Sequence, residues 1–126
     1  MSSVKSYKDL LIWQKGLEIV SNVYKLVEDF PKNELYALTS QIKRASISIP
    51  SNIAEGYGRS STQSYISFIN ISRGSLFELE TQLIIANELK FVKNQDLYNT
   101  IIEQILEESK MINSFINKLE LSKTNA

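Results

Sequence analysis

The stretch Ser46-Ile47-Ser48-Ile49-Pro50-Ser51-Asn52-Ile53-Ala54-Glu55-Gly56-Tyr57-Gly58-Arg59 decides how the chain is read, because a helical apolar rhythm runs through a proline and stops at two glycines. Proline lacks the amide that would bond the Ser46 carbonyl and crowds that carbonyl, which costs ~3 kcal/mol in a helix interior unless packing supports it. Ile42, Ala45, Ile49 and Ile53 nonetheless keep spacings of three and four on both sides of Pro50. That continuity predicts one helix kinked at Pro50 rather than two separate helices. Ser48, Ser51 and Asn52 carry short polar side chains able to bond nearby backbone groups. Gly56 and Gly58 supply the open backbone of a helix end and a tight turn.

Toward the N-terminus, Leu10, Trp13, Leu17, Val20, Tyr24 and Val27 recur at helical spacing and predict a first helix over about residues 9–29. Ile12, Ile19, Val23 and Leu26 form a second stripe, which points either to a broad core face or to contact with another subunit. Phe30-Pro31-Lys32-Asn33 breaks the pattern, and a proline can also start a helix, so the second helix is placed at about 33–56.

Toward the C-terminus, Ser60-Ser61-Thr62-Gln63 has the form of a capping box in which Ser60 caps the third helix. Tyr65, Phe68, Ser72, Leu76, Leu79, Leu83 and Ala86 supply its inward face, with Phe77, Ile84 and Phe91 beside them. Gly74 within this helix costs ~1 kcal/mol relative to alanine, and close approach of another backbone would account for it. Asn94 is placed as the cap of a fourth helix over about 95–121, packed through Leu97, Ile101, Ile105, Ile112, Phe115 and Leu119. Glu103, Glu107, Glu108 and Lys110 are assigned to its outer face. Four long amphipathic helices with short connections define an all-α chain, an up-down-up-down antiparallel four-helix bundle in one domain over 1–126. Residues 1–8 and 122–126 are expected to be flexible ends.

The composition narrows the chemistry. Without cysteine there is no disulfide framework and no thiolate, and without histidine the commonest metal ligand and general base are missing. Ser48, Ser51 and Ser75 therefore have no histidine to activate them. Carboxylates at helical spacing, such as Glu103 with Glu107, read as solvated charge, so no metal, cofactor or catalytic residue is expected. No apolar run approaches the length of a membrane span and no signal-peptide core opens the chain, which makes a cytoplasmic protein the default. Zero formal net charge argues against indiscriminate coating of nucleic acid.

Three segments together resemble the 23S rRNA intervening-sequence, or S23, four-helix-bundle family. They are Tyr7-Lys8-Asp9-Leu10 with Ile12-Trp13-Gln14-Lys15, the run from Leu38 through Ser48-Ile49-Pro50-Ser51-Asn52-Ile53-Ala54-Glu55-Gly56, and Arg73-Gly74-Ser75-Leu76 with Glu78-Leu79-Glu80. The resemblance implies a bacterial four-helix bundle that assembles as a ring-shaped homopentamer without an established activity. It also implies kinship with the accessory variability protein of diversity-generating retroelements, which binds nucleic acid. No catalytic residue is carried over, because the family pattern defines none.

Lys15, Lys43, Arg44 and Arg59, with Tyr57 as a stackable ring, are the candidate nucleic-acid-binding residues, since a ring would repeat their charge in space. Arg73, Glu80 and Glu55 are expected to form a structural polar network, and Ser48, Pro50, Ser51, Asn52 and Gly56 to pack against Gly74 and Ser75. The expected function is a non-enzymatic oligomeric adaptor that binds RNA or DNA weakly, the alternative being a protein-interaction scaffold that does not bind nucleic acid.

Overall fold

The computed structural model describes residues 4–124, with side chains through Lys123. Among the described residues there are four α-helices and no strand: α1 (Leu11–Val27), α2 (Leu38–Tyr57), α3 (Thr62–Glu88) and α4 (Gln95–Thr124). Each helix packs closely on two others, α1 on α2 and α4, and α3 on α2 and α4, and among the described residues no backbone comes close across the diagonal between α2 and α4. Contacts across every seam run in opposite senses. Gly16 meets Pro50 while Tyr24 meets Lys43, and Lys15 meets Glu107 while Asn22 meets Gln104.

Helix ends follow local chemistry. Ser6 caps a 3-10 turn over Tyr7–Asp9 in a full capping box with Asp9, so part of the N-terminal segment expected to be flexible holds a closed turn. The rest of that expectation falls on residues 1–3, 125 and 126, outside those described, while α4 continues to Thr124. The second helix begins at Leu38 rather than near Asn33. From Pro31 onward the chain closes three-residue bonds instead, Glu34 N to Pro31 O at 2.9 Å and Ala37 N to Glu34 O at 3.0 Å, and Leu38 N, the first amide of α2, donates to Glu34 Oε1 at 3.4 Å. The cap of α3 is Ser61, not Ser60; its hydroxyl accepts from Ser64 N at 3.1 Å, and in place of the reciprocal bond expected of Gln63, Gln63 Oε1 accepts from Lys123 Nζ. Asn94 caps α4 as its sequence implies, accepting from Leu97 N at 3.0 Å.

The core is built mainly of isoleucine and leucine, with Ile19, Leu26, Ile42, Ile49, Ile53, Ile69, Leu76, Leu79, Leu83, Ile101, Ile105 and Ile112 among its fully buried side chains. On α1 the buried face is Ile12, Gly16, Ile19, Val23, Leu26 and Val27. The stripe through Leu10, Trp13, Leu17, Val20, Tyr24 and Val27 is divided: Leu10 and Val27 join the core, whereas Leu17 and Tyr24 lie on the outer flank at 43% and 38% exposure. Both stripes have helical spacing, and Gly16, on the buried face, lets α1 settle against α2.

Glu108 is the larger correction. It is 0% exposed, in register with Ile101, Ile105 and Ile112, rather than on the outer face of α4. Spacing of three and four places it in the core, whereas residue type alone places it outside.

Two glycines are spatial requirements. A Cβ on Gly16 would lie 3.2 Å from Pro50 Cβ, and one on Gly56 would lie 2.9 Å from Phe68 Cβ and 3.0 Å from Tyr65 Cδ1. Gly74, expected to meet another backbone, has nothing within 4 Å of where a Cβ would stand. At the end of α3, Lys90 takes a left-handed conformation with φ 64°, where the chain reverses and Phe91 N bonds Ala86 O at 2.9 Å.

These sites give two expected outcomes of opposite sign, read as denaturation midpoints at unchanged slope. Gly56→Ala lowers stability by about 1–3 kcal/mol through overpacking against Phe68 and Tyr65. Lys90→Gly raises it by about 1 kcal/mol by relieving a side chain held at positive φ.

Candidate functional site

α2 remains α-helical from Leu38 to Tyr57 through Pro50. The proline is buried, and its ring packs on the bare backbone of Gly16 in α1. On its other side, α3 brings two serines to the same level. The Ser72 hydroxyl donates to Ile49 O at 2.5 Å, and the Ser48 and Ser75 hydroxyls share a bond of 2.7 Å. Asn52 completes the cluster, its Nδ2 donating to Ser48 O and to Ser48 Oγ, each at 2.8 Å. Ser46, fully buried, donates to Lys43 O at 2.8 Å. Of the residues assigned to the structural motif, Ser48, Asn52 and Ser75 are joined directly, and Pro50 and Gly56 are packed.

The remaining motif residues sit elsewhere. Ser51 is exposed on a shallow groove of about 330 Å³ between α1 and α2, with Tyr7, Trp13, Leu17, Ile47, Pro50 and Ala54 among its walls. Gly74 is exposed and takes no part. Arg73, Glu80 and Glu55 are not joined to one another. Arg73 donates to Asn70 Oδ1 at 2.7 Å and to Asn113 Oδ1 at 2.9 Å, tying α3 to α4, while Glu55 pairs with Arg59 at 3.0 Å. Glu80 is half-buried farther along α3.

The candidate nucleic-acid-binding residues are spread over separate seams. Lys15 is held by Glu107 of α4 at 2.9 Å. Lys43 lies 4.8 Å from the centre of the Tyr24 ring, and Arg59 4.4 Å from that of Phe68 while it also pairs with Glu55. Arg44 is exposed between α2 and α3, beside Gln41, Ser48, Glu78 and Gln82.

Tyr57 is half-buried, edge-on to Tyr7 at 6.5 Å and to Tyr65 at 6.3 Å between ring centres. The series continues to Trp13 on one side and Phe115 on the other, so rings from all four helices and the first turn close one end of the bundle. Burial, with Tyr57 nearby, pushes the Tyr65 hydroxyl up to about 12. This aromatic closure was visible only as scattered rings in the sequence, because residues 7, 13, 57, 65 and 115 lie on five elements.

Among the described residues no three acidic side chains gather in a manner suited to a metal ion, and no helix is long and apolar enough to cross a membrane.

The fold and its polar cluster define the class: an all-α four-helix bundle whose central motif joins helices. The chain belongs to the 23S rRNA-intervening sequence protein family, whose sequence model matches residues 8–114. A crystal structure of a protein of unknown function from the S23 ribosomal protein family of Bacteroides thetaiotaomicron is similar in fold, with a TM-score of 0.74 and 26% identity over 84% of this chain and 98% of that one. No curated protein matches the chain significantly.

Asn52→Leu removes both bonds to Ser48 and leaves its hydroxyl dependent on Ser75. The expected loss is about 1–3 kcal/mol in the denaturation midpoint, with the variant still helical by circular dichroism.

Proposed function

We propose that the protein is a non-enzymatic scaffold that works by association through its outer helix faces, with itself first, in a ring of the kind its family resemblance implies. The observation that carries this reading is the exposed face of α3. Phe77 and Ile84 stand two turns apart on one line, Ile71 and Ile85 are exposed to one side of it, and the bare backbone of Gly74 between them leaves room for a close neighbour. Apolar side chains repeated along an exposed helix face are the ordinary mark of an interaction surface. A ring-forming contact joins two different faces of the chain, and the half-exposed flank of α1, through Leu17 and Tyr24, offers a second apolar one.

Binding of RNA or DNA as a weak adaptor is the second reading. It rests on the family resemblance and on Arg44, which is exposed and has no ion pair among the described residues. It is the less supported of the two because Lys15 and Arg59 are paired within the chain and Tyr57 is packed among other rings.

Light scattering at micromolar concentration is expected to give a defined oligomer, and Phe77→Glu with Ile84→Glu is expected to lower its mass while helicity is kept. A monomeric wild-type protein overturns the association reading. Titration of labelled structured RNA at several salt concentrations separates the two readings. Binding that weakens as salt rises and is lost in Arg44→Ala favours the adaptor, since released counterions give phosphate contacts that slope.

A further inference from the structure

The buried stripe of α4 is one residue wide: Tyr98, Ile101, Ile105, Glu108, Ile112 and Ile116 occur at spacings of three and four. Glu108 stands at its centre, 0% exposed, and neither carboxyl oxygen has a hydrogen-bond partner. The nearest cation, Lys15 of α1, is committed to the adjacent Glu107 at 2.9 Å. One turn earlier on α4, Asn22 of α1 donates to Gln104 Oε1 at 3.0 Å. The α1–α4 seam is therefore polar through its middle. The α2–α3 seam is held by the serine bonds and tight glycine contacts, and among the described residues the backbone of α4 closely approaches α1 and α3 but not α2.

An unpaired carboxylate is among the least tolerable groups in an apolar interior, whereas the neutral acid costs far less. Burial pushes the Glu108 carboxyl up to about 8, with Lys15 lowering it and Glu18, also on α1, raising it. From α3, the other element against α4, Arg73 reaches Asn113 and is engaged there and at Asn70.

We propose that Glu108 is a proton-operated latch on α4: with its proton it lies neutral in the closed α1–α4 seam, and loss of the proton shifts the helix toward an opened state in which the carboxylate reaches water. The direction follows from the two protonation states. The closed state holds the proton up to about pH 8, while an opened, solvated Glu108 releases it near its ordinary value of 4.5. Closure is thus strongest below the ordinary value, and it weakens steadily as pH rises through the window between the two. One proton is released per opening, so the opening constant rises about tenfold per pH unit across that window. The device makes a single helix of the bundle responsive to the physiological pH range without any histidine.

The test is amide hydrogen exchange of the full chain between pH 5 and 8, corrected for the intrinsic dependence of exchange on pH. Amides of α4 are expected to show an opening constant larger than that of the slowest amides in α2 and α3, rising about tenfold per pH unit. In Glu108→Gln this dependence is expected to vanish, while Glu103→Gln, exposed on the same helix, keeps it. Glu108→Leu provides the same readout should the amide fold poorly. An α4 opening constant that does not change with pH, or a pH dependence that survives in Glu108→Gln and Glu108→Leu, overturns the latch. So does an α4 opening constant equal to that of the slowest α2 and α3 amides, since α4 would then open only with the whole bundle.

Discussion

The bundle depends on a buried proline at the one level of α2 where three helices come together. Pro50 withholds an amide from the helix ladder, and the neighbouring helices are shaped to that level. α1 offers a glycine, so the pyrrolidine ring rests on backbone, and α3 offers Ser72 and Ser75 to Ile49 O and Ser48 Oγ. The small side chains allow close helix axes, and their hydroxyls satisfy polar groups that close packing would otherwise strand. Gly56 repeats the arrangement two turns later, where Tyr65 and Phe68 leave no room for a methyl group. The chain thus fixes the α2–α3 pair by shape and by hydrogen bonds together.

Buried polar groups in this protein differ in consequence: Thr39 Oγ1 and Gln82 Oε1 are neutral atoms without a partner, whereas Glu108 can carry a charge. A serine hydroxyl among other hydroxyls and carbonyls is satisfied and adds specificity to a seam. Glu108 has no such neighbours, and its cost changes with protonation. Most cations and rings that might have formed a ligand surface are instead used within the chain: Lys15 on Glu107, Arg59 on Glu55 and Phe68, Tyr57 between Tyr7 and Tyr65. Arg44 stays exposed without an ion pair among the described residues, and apolar side chains on the outer faces, Ile71, Phe77 and Ile84 among them, are exposed as well.

The all-α class, four helices and the family were legible because they rest on long periodic segments and on one dense motif, Ser48 through Gly56. The errors fall where periodicity offers two answers or where residue type was trusted over register. On α1 both apolar stripes have helical spacing, and spacing alone does not show that Ile12, Ile19, Val23 and Leu26 are buried while Leu17 and Tyr24 are exposed. Glu108 was legible from its spacing to Ile105 and Ile112 but was placed outside because it is charged. Gly74 invited a packing explanation within the chain that belongs to Gly16 and Gly56, since a glycine's sequence neighbours do not reveal which helix approaches it. The network drawn through Arg73, Glu80 and Glu55 failed for a similar reason: long side chains choose partners on adjacent helices, here Asn113 and Arg59, that no single-helix spacing identifies.

The claim that the Ser48–Gly56 motif is a helix joint rather than a ligand site is tested most directly by a double-mutant cycle between Ser48 and Ser75. Denaturation midpoints of Ser48→Ala, Ser75→Ala and the double variant give the coupling across α2 and α3. A joint of the kind described gives a coupling energy of about 1 kcal/mol, because Ser48→Ala takes away the partner of the Ser75 hydroxyl and Ser75→Ala leaves Ser48 Oγ with Asn52 alone. A coupled pair makes the double variant lose less than the sum of the two singles; a double variant that loses the full sum would contradict it.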